Sequence, residues 1–124
     1  MSKALFLDTI NKTTREVNAS TLEDYYKLIG CRCIDIVTRR IGRKVYDIII
    51  DDEGLLTDDP IISAIDDLGR VMLVGNLIIC GTADDEGELT DLKPADVAYI
   101  KKRVQTLNTR KHRDLLMLTS CNYC

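Results

Sequence analysis

Apolar and polar positions alternate most regularly between residues 31 and 52, CRCIDIVTRRIGRKVYDIIIDD, where β-branched side chains fill two arms around Gly42. Period-two alternation on either side of a glycine predicts a β-hairpin. Ile34 and Ile36 alternate with Cys33 and Asp35 on the first arm, and Tyr46, Ile48 and Ile50 alternate with Asp47 and Asp51 on the second. If the even-numbered positions of both arms share the apolar face, paired numbers must have an even sum, because a slip of one residue turns an arm inside out. That disfavours a two-residue Ile41-Gly42 loop and favours a three-residue Arg40-Ile41-Gly42 loop with Gly42 left-handed. The resulting register sets Ile34 opposite Ile48, Ile36 opposite Tyr46 and Asp35 opposite Asp47.

The same reading places further elements around the hairpin. Residues 3–8 (KALFLD) form a strand and residues 13–17 a second one, after a turn at Asn11-Lys12. Ser20 and Glu23 fit a capping box for a short helix over residues 21–29, with an apolar stripe of Leu22, Tyr25, Tyr26 and Ile29 and a stop at Gly30. A turn at residues 51–54, a short edge element at Leu55-Leu56, strands over residues 61–65 and 71–80, and a turn at residues 66–69 follow. Gly75 interrupts the long apolar run and marks a bulge or a close backbone approach. Pro94 opens a second helix, and Val97, Ile100, Val104 and Leu107 extend its stripe to about Leu107. Residues 115–118 supply a last short strand, and this strand or residues 3–8 would be a free edge able to pair with a second copy. The expected fold class is α+β, a single domain with a largely antiparallel β-sheet and two short amphipathic helices. Residues 1–107 make the α+β domain, and residues 108–124 a basic, cysteine-containing tail packed on it or extending from it.

Composition changes this picture mainly through charge. The chain has 124 residues and a net charge of −3, but residues 51–96 alone carry a balance of −11, between segments of +3 and +5. A middle third this acidic generates a one-signed field if the fold gathers it on one side. The acidic interaction surface is expected at Asp51, Asp52, Glu53, Asp58, Asp59, Asp84, Asp85, Glu86 and Glu88, and a basic surface at Lys101, Lys102, Arg103, Arg110, Lys111 and Arg113. The start of the chain lacks the apolar run of a signal peptide, and no stretch approaches a membrane span. Five cysteines without an export signal fit a reducing cytoplasm and free thiols.

Candidate chemistry is sparse. His112 is the one histidine and stands among basic residues that make it a poor general base. Nucleotide-loop and HExxH motifs are missing, and the two DDEG stretches put Ile49 or Thr82 where a calcium loop needs its first carboxylate. Asp35 facing Asp47 suggests a metal-dependent enzyme that would also use Asp51 and Asp52; the plainer reading is a solvated pair neutralised by Arg32, Arg39 or Lys44. Cys31, Cys33, Cys121 and Cys124 together have the ligand count of a zinc site that clamps the C-terminus to the hairpin, but free thiols are the default. Catalytic residues, cofactors and metals are all expected to be none.

With the strands placed, YYKLIGCRCIDIVTRRIGRKVYDIIIDDEGLL, MLVG, NLIICG and ELTDLKPADVAYIKKRV resemble a domain-of-unknown-function family of small proteins from bacterial phages and integrative mobile elements. The resemblance covers roughly residues 3–107, and its most specific parts are Ile29-Gly30, Asp52 to Gly54, and Val74-Gly75-Asn76. It brings no catalytic residues with it. It implies a small accessory protein directed against host defence. The expected function is therefore a non-enzymatic anti-defence inhibitor, anti-CRISPR or anti-restriction, whose partner is a host or defence protein with a basic nucleic-acid-binding groove. The alternatives are the metal-dependent enzyme and a nucleic-acid-binding regulator working through residues 101–113.

Overall fold

The computed structural model describes residues 3–9, 11–19, 21–31, 33–53, 61–65, 71–81, 90–108, 115–119 and 121–122. Ten strands and two helices are assigned among them, β1 (Lys3–Asp8), β2 (Thr13–Asn18), α1 (Leu22–Ile29), β3 (Ile34–Ile41), β4 (Lys44–Asp51), β5 (Ile62–Ile65), β6 (Val71–Val74), β7 (Leu77–Cys80), α2 (Pro94–Lys101), β8 (Val104–Leu107), β9 (Leu115–Thr119) and β10 (Cys121–Asn122). They form an α+β domain with two open sheets. One runs β10-β3-β4-β7-β1-β2 with every pair antiparallel, and the other runs β6-β5-β9-β8 with one parallel pair, β5 with β9. No helix among the described residues is long and apolar enough to cross a membrane.

The six-stranded sheet is covered on both faces. Leu5, Leu7, Ile41, Tyr46, Ile48, Leu77 and Ile79 leave one face and pack with Ala64, Leu73 and Leu118 of the second sheet and Val97 and Ile100 of α2. Ala4, Phe6, Ile49, Ile78 and Cys80 leave the other and pack with Tyr25 and Ile29 of α1. This explains why LIIC in β7 reads as an unbroken apolar run: all four residues are buried, so neither parity faces water.

Burial on both faces also overturns the even-sum hairpin. In β4, Tyr46 and Ile48 face one layer while Asp47 and Ile49 face the other, and all four are buried. Parity therefore gives this strand no wet side, and the assumption behind the even sum fails. The observed register pairs Ile34 with Asp51, Ile36 with Ile49, Val37 with Ile48 and Ile41 with Lys44 around a two-residue Gly42-Arg43 turn. Gly42 takes a φ of 64° at the first central position, where a tight hairpin turn of this length favours glycine. Ile41, expected in the loop, is fully buried in β3.

Four other expectations shift. The capping box of α1 sits one residue on, with the Thr21 hydroxyl accepting from the Asp24 amide at 3.2 Å and the Asp24 carboxylate accepting from the Thr21 amide at 3.3 Å. The long apolar run divides at Gly75 into β6 and β7, which belong to different sheets; Gly75, at a φ of 78°, is where the chain changes layer, and its amide donates to the Ile61 carbonyl at 2.7 Å. Asn76 fastens that crossing, its Oδ1 accepting from the Thr9 amide at 2.8 Å and the Thr9 hydroxyl at 2.7 Å. Helix α2 stops at Lys101, and Val104 to Leu107 pair with Leu118 to Leu115 as a strand; pairing with β9 outweighs the helical spacing of Val104 and Leu107. Residues 3–8 and 115–118, expected as free edges, lie between β7 and β2 and between β5 and β8. The expected turn at 66–69 and the edge element at 55–56 lie outside the described residues.

The hairpin turn is held by α2. The Tyr99 hydroxyl accepts from the Arg43 amide at 2.7 Å, the Arg103 guanidinium lies 3.7 Å from the centre of the Tyr99 ring, and its Nη1 donates to the Tyr99 carbonyl at 3.1 Å. A Cβ at Gly42 would collide with the Tyr99 hydroxyl and Arg103 Nε, whereas at Gly30 and Gly75 it would meet nothing. All three glycines have positive φ. Gly30→Ala and Gly75→Ala are therefore expected to cost about 1 kcal/mol each, from backbone strain alone. Gly42→Ala should cost about 1–3 kcal/mol more, from the added clash. Urea midpoints of the three variants check this ranking.

Candidate functional site

The β3–β4 hairpin carries opposite charge at its two ends. At the open end Asp51 closes β4, and Asp52 and Glu53 follow in the turn. The Asp52 amide donates to the Cys33 carbonyl at 3.1 Å and the Glu53 amide to Asp51 Oδ1 at 2.9 Å, so local hydrogen bonds hold the three acidic residues together. Exposed Asp35, paired with Ile50, stands nearby. At the turn end are Arg39, Arg40, Arg43 and Lys44. The Tyr99 contact adds the end of α2, with Lys101 and Lys102 exposed and Arg103 half-buried. Seven residue steps along a strand separate the two ends by about 23 Å.

Of the residues expected to form the acidic surface, Asp51, Asp52 and Glu53 are thus brought together, while Asp58, Asp59, Asp84, Asp85, Glu86 and Glu88 lie outside the described residues. Of the basic set, Lys101, Lys102 and Arg103 share the end of α2, and Arg110, Lys111, Arg113 and the neighbouring His112 lie outside. Arg103 is turned inward onto Tyr99, which makes it a support for the turn. The residues missed from sequence are Arg40 and Arg43. The run RRIGRK signals a cationic turn, but only the tertiary bond from Arg43 to Tyr99 places it beside Lys101 and Lys102.

The facing carboxylate pair is not formed. Asp35 and Asp47 leave opposite faces of the sheet, because Asp35 pairs with Ile50 and Asp47 with Thr38. Asp47 is buried and its Oδ1 accepts from the Thr38 hydroxyl at 2.6 Å. Asp51 lies four residues further along β4, about 13 Å away, so the four aspartates do not converge as metal ligands. Of the three residues expected to neutralise them, Arg39 donates to the Thr38 carbonyl and Lys44 to Asp96, and Arg32 lies outside the described residues. The four-thiolate zinc clamp fails on distance. Cys121 pairs with Arg40 near the turn end, whereas Cys33 precedes the other end of β3, about 23 Å away. Among the described residues no group of three or more histidine, cysteine, aspartate or glutamate side chains is placed to hold a metal ion.

A cleft of about 460 Å³ opens beside the turn end, with Lys44, Tyr46, Asp91, Lys93 and Asp96 on its walls. Three of its polar groups, Lys44, Tyr46 and Asp96, are bonded to one another. Asp96 Oδ1 accepts from Lys44 Nζ and from the Tyr46 hydroxyl, both at 2.9 Å. The Lys44 bond, aided by Tyr46, holds the Asp96 carboxyl below its ordinary range, against the opposing effect of partial burial. Burial, then the bond to Asp96, pushes the Tyr46 phenol well above 10.0. The arrangement ties the first turn of α2 to β4.

The thiols differ sharply. Cys33 is exposed, Cys31 half-buried and Cys80 buried. Burial, with the nearby Asp47 charge, pushes the Cys80 thiol from 9.0 up to about 12. Burial and then Asp51 raise Cys31. Peptide-mapped alkylation of the native protein at pH 8 is expected to label Cys33 first, Cys31 more slowly, and Cys80 only after unfolding. Cys80 and Tyr46 keep in the folded state protons that the unfolded chain releases, so the Cys80 contribution to stability is full below pH 9 and is lost as pH climbs through about 12, while that of Tyr46 is full below pH 10 and is lost only at higher pH still. Urea midpoints measured across that range should fall, and Cys80→Ala should flatten the first part of the fall.

Comparison with known proteins gives a family and nothing finer. No curated protein and no solved structure matches the chain. A family model described as a domain of unknown function, DUF3846, matches residues 2–105, from the start of β1 into β8. By that match, which takes in both helices and the whole charge-polarised hairpin, the chain belongs to the DUF3846 family.

Proposed function

We propose that the chain is a non-enzymatic binding protein, carried by phages or mobile elements, that seats its acidic end in the basic nucleic-acid groove of a host defence enzyme, a CRISPR effector or a restriction enzyme. The observation that carries this reading is the convergence of Asp51, Asp52 and Glu53 at the open end of the hairpin, at the head of a segment whose charge balance is −11. Carboxylates clustered at one end of a hairpin compete with phosphates for a groove lined by lysine and arginine. Such complementarity raises the rate of encounter more than it deepens the final complex. The resemblance to small accessory proteins of mobile elements supplies the biological setting.

The test is a pull-down with the tagged full chain from host lysate, with and without nuclease treatment, at low and high salt. A basic nucleic-acid enzyme is expected to persist after nuclease and to dissociate with salt. Reversing Asp51, Asp52 and Glu53 to lysine, and separately Asp84, Asp85, Glu86 and Glu88, should slow association with that enzyme by about tenfold or more and flatten its salt dependence. Recovery that needs intact nucleic acid, or binding indifferent to both reversals, overturns the reading.

A further inference from the structure

The opposite end of the hairpin carries chemistry that the acidic end does not explain. Arg43 comes from the β3–β4 turn, and Lys101 and Lys102 from the end of α2. The bond from the Arg43 amide to the Tyr99 hydroxyl sets the turn against the end of α2, which carries both lysines. All three side chains are exposed. None of the three makes an ion pair among the described residues. Asp96, the carboxylate closest to this end along α2, is already held by Lys44 and Tyr46. The acidic end lies about 23 Å away along the strands, well beyond the screening length of about 8 Å at physiological ionic strength, so it leaves the local positive field intact.

We propose that this end binds the phosphodiester backbone of nucleic acid, with Arg43, Lys101 and Lys102 as the contacting cations on a base made rigid by Tyr99 and Arg103. The chemistry of the patch favours a polyanion over a folded acidic protein. A protein interface draws its affinity from buried apolar or aromatic anchors. Here the ring of Tyr99 is covered by Arg103, and among the described residues Ile36 is the exposed large apolar side chain, on β3 away from the turn. Phosphate contacts need only charge that displaces condensed counterions.

The experiment is fluorescence anisotropy of the full chain with a labelled 20-base-pair DNA duplex and with a single strand of the same sequence, titrated from about 50 to 200 mM salt. Affinity should fall steeply with salt on at least one of the two. The triple variant Arg43→Gln, Lys101→Gln, Lys102→Gln should reduce the slope of log affinity against log salt by about 2–3 and weaken low-salt binding by about tenfold or more. Lys27→Gln, an exposed cation on α1, should change neither by more than a fraction of those amounts. Should the triple variant not fold, as its urea midpoint would reveal, the double variant Lys101→Gln, Lys102→Gln is expected to lower the slope by about 1–2. No salt-dependent binding to either probe overturns the proposal. So does an unchanged slope in the neutralised variant, or equal binding of poly-glutamate, which would identify an acidic protein as the partner. Reversal of Asp51, Asp52 and Glu53 does not weaken this binding, so the acidic-end reading and this one fail separately.

Discussion

Because β4 and β7 lie in the middle of the six-stranded sheet with apolar side chains leaving both faces, each face needs its own cover, and the rest of the fold supplies it. α1 closes one side through Tyr25 and Ile29; the second sheet and α2 close the other through Ala64, Leu73, Leu118, Val97 and Ile100. Fully burying such aliphatic side chains stabilises by about 1.5–3 kcal/mol each, so a cover missing from either side would be costly. The crossing at Gly75-Asn76 lets one apolar run serve both sheets, and the Thr9 bonds to Asn76 fix where it happens.

That layering also determines where charge is placed. With both faces of β4 covered, the exposed polar groups of the hairpin concentrate toward its ends. The open end gathers carboxylates in consecutive turn positions, and the other end gathers cations around a glycine turn clamped by Tyr99. A close approach at Gly42 is what lets the clamp form, since any Cβ there meets the tyrosine hydroxyl and Arg103. The hairpin thereby works as a charged rod anchored at its basic tip.

Elements set by local physics are legible in the sequence. Strand β1, the helix stop at Gly30, Pro94 at the start of α2 and a strand from Leu115 all follow from propensity and punctuation, and the mostly antiparallel α+β class with two helices follows from their sum. Tertiary contacts decide the rest. The hairpin register assumed one wet face, and burial of Asp47 with Ile49 removed it. Val104 and Leu107 keep helical spacing yet pair with Leu118 and Leu115 of β9. The candidate site divides the same way: Asp51, Asp52 and Glu53 were legible because they are consecutive, whereas the meeting of Arg43 with Lys101 and Lys102 depends on a bond spanning 56 residues.

The position of β9 carries a consequence for synthesis on the ribosome. Domains fold as the chain emerges, N-terminal part first, but the inner strand of the second sheet follows both of its neighbours in the sequence: Ala64 of β5 pairs with Leu118, and Val104 of β8 with the same residue. Until β9 emerges, β5 and β8 each present an unpaired ladder, and the layer covering one face of the larger sheet stays incomplete. Open ladders on nascent chains invite pairing with neighbours. The second sheet is therefore open to misassociation until β9 is in place, because β9 pairs with β5 on one side and with β8 on the other.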